Sequence, residues 1–329
     1  MINEPQELSI LLSGYTFSSG RHEIGSISLS ANETGLKKVS LSGEDAKAFS
    51  VKGNKLCLLP SHNKKDAEYD LTISVDTDFG VFSESFKIIS DSFIKNKVIA
   101  HRGAWRNRGL PENSIAALQH AVKLGCSASE FDVHMSSDSK IFVNHDYKVQ
   151  GIPLEKAAST ELQKLKLANN ETLPTLNQYL EKGLNQKSTR LVLEIKPSAI
   201  NKETGIKTAQ KVVEIIKDYK AQAWLDYISF DYEICTELVK LQPQASVAYL
   251  KGDKSPEGLA KDKIPGFDYA FSVLRKNPDW IKKAHEKNLT TNVWTVDRED
   301  DMRWLLKQNI DFITTNEPEL LLEILKTSR

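Results

Sequence analysis

Several short clusters in the second half of the chain carry residues able to work on a phosphate ester: His101-Arg102-Gly103, Glu130-Phe131-Asp132, Asn144-His145-Asp146 and Glu194-Ile195-Lys196. Glu130 and Asp132 stand two residues apart in an apolar run, so in a strand they share a face. Glu194 and Lys196 do the same in Leu191-Val192-Leu193-Glu194-Ile195-Lys196, which ends at the strand-breaking Pro197. Three carboxylates from two strands, with no cysteine among them, suit one hard divalent cation held through oxygen, Mg²⁺ or Ca²⁺ rather than Zn²⁺. Without a cation, such a trio repels itself. Arg102 and Lys196 add positive charge, and a guanidinium can hold two phosphate oxygens at once. His101 and His145 titrate near neutrality, so one can take a proton from an attacking hydroxyl while the other protonates the departing alkoxide. The substrate these groups imply is anionic and rich in oxygen.

Taken singly, each of these residues has a plainer reading. A buried histidine is more often a hydrogen-bonded core residue, and a lone Glu130 or Glu194 more often a solvated or paired carboxylate. Arg102 and Lys196 could serve only to neutralise the acids, and Trp294 could simply fill a core. Jointly, the plain reading needs seven polar side chains to reach strand rims by accident, three of them acids that destabilise one another. His22, His62, His120, His134 and His285 have no matching acidic partner and receive no role, His134 being read as pointing away from the Glu130/Asp132 face.

The elements that must position these groups form a repeating strand-then-helix rhythm. Strands are expected at 97–100, 128–132, 190–195, 227–230, 246–250, 269–274, 291–296 and 311–314, which makes eight and predicts a (β/α)8 TIM barrel. Helices fit the intervals: 205–219 puts Ala209, Val212, Val213 and Ile216 on one face, and 300–308, 318–326 and a short 159–167 follow. The run Ile141-Phe142-Val143-Asn144-His145 comes too soon after Asp132 for a parallel crossover and is expected to fold back as a hairpin, carrying His145 to the carboxylates.

From Leu8 to about Asp91 the rhythm is different. Short runs such as Tyr69-Asp70-Leu71-Thr72-Ile73-Ser74-Val75 alternate with period two, broken at Ser19-Gly20, Asn32-Glu33-Thr34-Gly35, Ser42-Gly43, Gly53-Asn54 and Asp78-Phe79-Gly80. Six or seven strands of a small all-β sandwich are expected there. The division is drawn at 1–94 and 95–329, consistent with 329 residues being more than one core usually serves.

Charge and composition narrow the partners. The 44 Lys+Arg balance 44 Asp+Glu, and the short basic pairs are scattered, so no field favours nucleic acid. Hydrophobic residues at 40% and charged ones at 27% exclude a disordered chain. Cys57, Cys126 and Cys235 are spaced for neither zinc nor a disulfide framework. No apolar run is long enough for a membrane span, and Ile2 to Glu7 resembles no secretion leader.

The order His101-Arg102-Gly103, Pro111-Glu112-Asn113-Ser114, Glu130-Phe131-Asp132-Val133, Asn144-His145-Asp146 and Leu193-Glu194-Ile195-Lys196, extended by Ser229-Phe230-Asp231 and Trp294-Thr295-Val296, resembles the glycerophosphodiester phosphodiesterases. The resemblance spans about Val98 to Pro318. It implies a phospholipase-C-like barrel, metal ligation by Glu130, Asp132 and Glu194, acid–base work by His101 and His145, and phosphate contact by Arg102 and Lys196. It adds Glu112, supporting the first histidine or touching substrate, and Trp294 as an apolar wall toward the alcohol or glycerol. The implied partner is a small glycerophosphodiester, cleaved to sn-glycerol 3-phosphate and an alcohol. A phospholipase-D-like enzyme on lysophospholipids or sphingolipids is the alternative, and a non-catalytic glycan- or protein-binding barrel the reading from another class. The first region, with Leu41-Ser42-Gly43-Glu44-Asp45, Phe49-Ser50-Val51 and Phe86-Lys87-Ile88, is similar to a cadherin-like repeat. That likeness favours an extracytoplasmic location, periplasmic or secreted, with the oligomeric state left open.

Overall fold

The computed structural model describes residues 8–30 and 36–327; the expected turn at Asn32–Gly35 lies outside them. The chain forms two compact units and first passes from one to the other between Ser92 and Phe93.

The first unit contains β1 (Ile10–Leu12), β2 (Thr16–Phe17), β3 (Glu23–Leu29), β4 (Lys38–Ser42), β5 (Phe49–Lys52), β6 (Lys55–Leu58), β7 (Glu68–Thr77) and β8 (Gly80–Ser90). They make two four-stranded sheets, β1-β3-β6-β5 and β2-β8-β7-β4. Period two does the sorting: Tyr69, Leu71, Ile73 and Val75 of β7 are buried, and they join Ile10, Leu12, Ile24, Ile27 and Leu56 of the other sheet in one apolar cluster. There is one strand more than the upper expectation, because the opening stretch holds two short strands.

The second unit begins with β9 (Val98–Ala100), β10 (Ala128–Met135) and β11 (Ile141–Val143), then a small ribbon of β12 (Lys148–Val149) and β13 (Ile152–Pro153). β14 (Arg190–Ile195), β15 (Leu225–Ser229), β16 (Ser246–Tyr249), β17 (Gly266–Ala270), β18 (Thr290–Trp294) and β19 (Phe312–Thr315) follow. Eight of these strands, β9, β10 and β14 to β19, pair in parallel, and β9 bonds to both β19 and β10, so the sheet closes into a barrel. Ile99, Ala128, Val192 and Ile228, from four strands of the ring, and Leu250, just past the end of β16, meet in one cluster, as only an interior allows.

Helices fill the crossovers. Ile115–Leu124 starts at Ser114, whose hydroxyl accepts the Ala117 N–H at 3.0 Å and satisfies one of the orphan donors of the first turn. Lys202–Asp218 buries Ala209, Val212, Val213 and Ile216, the expected stripe. Two expectations need correction. The sixth barrel strand ends at Ala270 and Phe271–Lys276 is a helix: the strand holds a buried Asp268, which broke the apolar run and shifted the reading toward the apolar residues that follow. The short helix stops at Leu162, and Leu167 instead bonds through its N–H to Glu171 at 2.8 Å.

Candidate active site

β10 outlasts the expected strand by three residues, and those residues pair with β11: Val133 with Val143, His134 with Phe142 and Met135 with Ile141. The Asn144 N–H then donates to the Asp132 carbonyl at 3.0 Å, so His145 leaves the hairpin beside that carboxylate's strand. On the other side β10 runs parallel to β14 with Asp132 opposite Glu194 and Glu130 opposite Val192. Glu130, Asp132 and Glu194 are all buried, and each offers an oxygen within 4.8 Å of the others.

Such crowding has an electrostatic cost. Burial, then the charges of Asp132 and Glu194, hold the Glu130 carboxyl well above the usual carboxylate range. Burial and the Asp132 charge push Glu194 up to about 8 against the pull of Lys196. Burial opposes the charge on Asp132 too, but Lys196, then His145, the Asn113 amide and Arg102 outweigh it and keep its pKa below the ordinary value. A set of three hard oxygen donors that cannot all be comfortably ionised alone is what a divalent cation relieves, so the residues fit one.

The turn after β9 places the cationic groups. Arg102 at φ 55° and Gly103 at φ 80° reverse the chain, and the Arg102 N–H donates to Glu130 Oε2 at 2.8 Å. A Cβ on Gly103 would lie 2.7 Å from the carbonyl carbon of Ala117, so no larger residue fits. The Arg102 guanidinium meets both Glu112 oxygens at 2.9 Å and brings Nε to 3.7 Å from Asp132 Oδ2. Glu112 thus faces Arg102, not a histidine. Lys196 Nζ lies 2.8 Å from Glu194 Oε1 and 3.3 Å from Asp132 Oδ1, and 5.9 Å from the centre of the Phe230 ring. Asn113, at φ 59°, clasps Asp132 twice: its amide donates to Oδ2 at 2.9 Å and accepts the Asp132 N–H at 3.0 Å.

The two histidines have different partners. His101 Nδ1 is 2.8 Å from Asn316 Oδ1, while the Asn316 amide nitrogen donates to Asp297 Oδ2 at 2.9 Å. That second bond orients the amide, so His101 carries its proton on Nδ1 and leaves Nε2 as an acceptor. Burial and the neighbouring Arg102 charge lower its pKa to about 4. His145 Nδ1 instead faces a carboxylate, Asp146 Oδ1 at 2.8 Å. His134 corrects the expectation above: period two puts it on the face of Glu130 and Asp132, and its Nε2 lies 3.1 Å from the His145 carbonyl. Burial lowers its pKa to about 4.

These groups open onto a cavity of about 200 Å³. His101, Arg102, Glu130, His145, Glu194 and Lys196 form its polar side. Ile228, Phe230, Leu250 and Trp294 form an apolar side, with Phe230 and Trp294 edge to face at 5.4 Å. Asp268 also lines the cavity, 1% exposed, and neither of its oxygens has a hydrogen-bond partner. The Asn292 amide beside it donates to Thr314 Oγ1 at 2.9 Å. Burial, then the Glu194 charge, raise the Asp268 carboxyl well above its ordinary value, against a hydrogen-bonding pull from the Asn292 amide that falls short of a well-formed bond. The structure therefore brings together all nine residues singled out in the sequence, counting Glu112 through Arg102. Asn113, His134, Asp268, Asp297 and Asn316 were missed. For Asp268 the available signal was a lone acid between Phe267 and Tyr269 in a strand.

Residues 101–320 match the Glycerophosphoryl diester phosphodiesterase family. A glycerophosphodiester phosphodiesterase of Caldanaerobacter subterraneus is 28% identical over 250 residues, 71% of this chain and 99% of that protein. The crystal structure of a glycerophosphodiester phosphodiesterase from Parabacteroides distasonis aligns over 72% of this chain and 99% of its own, at 39% identity and a TM-score of 0.69. An Oleispira antarctica phosphodiesterase, in complex with the product sn-glycerol-3-phosphate, shares the fold at 24% identity and a TM-score of 0.60, over 70% of this chain and 97% of its own. The family match runs from the first histidine of the barrel into its last helix, and so this chain belongs to the glycerophosphodiester phosphodiesterases.

Proposed function

We propose that the protein hydrolyses glycerophosphodiesters to sn-glycerol 3-phosphate and an alcohol, using His101 and His145 as a base–acid pair and one divalent cation, Mg²⁺ or Ca²⁺, on Glu130, Asp132 and Glu194. The observation that carries this reading is the asymmetry of the two histidines across the buried triad. His101 has a neutral amide partner and a depressed pKa, so it stays unprotonated and offers Nε2 to an attacking hydroxyl. His145 turns Nδ1 to the Asp146 carboxylate, which orients the ring and leaves Nε2 as the atom that can give a proton to the leaving alkoxide. Arg102 and Lys196 hold the phosphate, and Trp294 and Phe230 wall the side away from it. When bound, the cation supplies positive charge to a phosphoryl oxygen as negative charge grows there.

The product held by the Oleispira antarctica relative supports sn-glycerol 3-phosphate as the phosphate-bearing half. The attacking hydroxyl is that of water, or the glycerol's own, which would first give a cyclic phosphate. We also assign 1–94 as a cadherin-like module that positions the enzyme and 95–329 as the catalytic domain. The test is a panel of glycerophosphodiesters and lysophospholipids assayed with EDTA and with Mg²⁺ or Ca²⁺ restored. Turnover of the glycerophosphodiesters, lost with EDTA and restored by the ion, is expected. Turnover of lysophospholipids alone would move the protein to the phospholipase-D-like reading, and activity indifferent to EDTA would sink the cation's role. His101→Ala and His145→Ala should each lose about 10²–10⁴-fold in kcat.

A further inference from the structure

Asp268 is the group in the cavity that the reaction above leaves unused. It is 1% exposed and both carboxyl oxygens lack a partner, a state that folded proteins rarely retain without a reason. The neighbours that could satisfy it give it little: one N–H of the Asn292 amide leans toward it, but no bond of good geometry forms. The Asn292 amide donates to Thr314 Oγ1, and the Trp294 indole N–H donates to the backbone carbonyl of Asp268 at 3.0 Å, not to its side chain. Lys196 and Arg102 are engaged with the acidic triad and with Glu112. Both oxygens therefore remain available to whatever enters the cavity.

The ligand must offer two hydrogen-bonding groups on neighbouring atoms that can give as well as accept, since a carboxyl raised above its usual range either accepts through both oxygens or donates through one and accepts through the other. A phosphate brings only acceptors and would leave a carboxyl oxygen unpaired, and a quaternary ammonium has no N–H to give. Two hydroxyls on adjacent carbons supply two O–H donors at a separation that one carboxyl group can accept. The flanking Phe230, Trp294, Ile228 and Leu250 offer apolar surface to the C–H faces of a small polyol, and about 200 Å³ is room for one with its phosphate. Resting on the functional reading above, we propose that Asp268 is the specificity residue for the glycerol moiety, hydrogen-bonded through its two carboxyl oxygens to both hydroxyls of the vicinal diol. A site built this way rejects a diester without the diol, because the carboxyl is then left buried and unpaired.

The test compares the full-length protein with Asp268→Asn and Asp268→Leu on glycerophosphocholine, glycerophosphoethanolamine, glycerophosphoglycerol and bis(p-nitrophenyl) phosphate, a diester with no diol. Expected is a fall in kcat/KM of about tenfold or more on all three glycerol diesters, with turnover of bis(p-nitrophenyl) phosphate undiminished or raised, because the carboxyl that a diol-less diester leaves unpaired is gone. Asp268→Leu should melt at or above the temperature of the parent, since an unsatisfied buried carboxyl has been removed. A loss confined to the choline and ethanolamine diesters would overturn the proposal in favour of a cationic-alcohol site. An equal loss on all four substrates, or none on any, would overturn it in favour of a role in the triad or in packing. A parent protein inactive on the three glycerol diesters but active on bis(p-nitrophenyl) phosphate would instead refute the functional reading, and the diol assignment with it.

Discussion

At the scale of single residues, the site is governed by which charges are buried without compensation. His101 and His134 both have folded-state pKa values lowered to about 4, with burial the main cause. An unfolded chain takes up protons on these rings below about pH 6.5, whereas the folded state refuses them until about pH 4. Their contribution is thus intact above pH 6.5 and is lost as the pH falls toward 4, by on the order of 2–3 kcal/mol per ring. Because the raised carboxyls of Glu130, Glu194 and Asp268 act the other way in the same range, the histidine contribution is read as a difference: in urea unfolding of the cation-free protein, His134→Gln should lose less stability, or gain more, than the parent between pH 7 and pH 5. Glu194 works in the opposite direction. With its pKa pushed up to about 8, it is largely protonated at pH 7, and a cation must displace that proton. Calorimetric titration with Mg²⁺ or Ca²⁺ should give affinity that rises from pH 6 to pH 8, by up to about tenfold per unit. Affinity that does not change over this range would show that Glu194 is not a ligand.

At the scale of elements, the site depends on two turns and one hairpin. The β10–β11 hairpin brings His145 to Asp132, and the Arg102-Gly103 turn presents both a backbone N–H and a guanidinium to the carboxylates. Gly103 is the fixed point, because a Cβ there would strike the backbone of the following helix as well as forcing a left-handed conformation on a larger residue. Gly103→Ala should destabilise the protein by about 2–4 kcal/mol in urea unfolding, and should lower kcat as the Glu130 contact shifts. The hairpin and the strand period were legible in the sequence because they depend only on local alternation and loop length. The end of β17 was not: an inward-facing Asp268 in the barrel breaks the apolar signal by which a buried strand is recognised.

At the scale of the molecule, every group lining the cavity comes from residues between 101 and 314, all in the barrel unit. The β-sandwich has its own apolar core, built from residues 10 to 88. A chain lacking residues 1–92 should therefore keep its kcat and KM on glycerophosphodiesters, as steady-state kinetics would show. A collapse of kcat in a truncated protein that still folds by circular dichroism would mean that the first unit shapes the site. Among the described residues no helix is long and apolar enough to cross a membrane.

Glu112 and Trp294 entered only through the family resemblance, whereas the barrel class, the change of rhythm between the two regions and the seven polar candidates were legible in the sequence by itself. Those depend on chemistry and on periods of two and 3.6 residues that each segment carries within itself. Tertiary structure alone decided that Asn316 and Asp297 set the tautomer of His101, that Asn113 clasps Asp132, and that Asp268 stands unpaired in the cavity. His101 and Asn316 are 215 positions apart, and meet only because β19 closes the sheet against β9. No local pattern records such a closure, for it is a property of the completed ring.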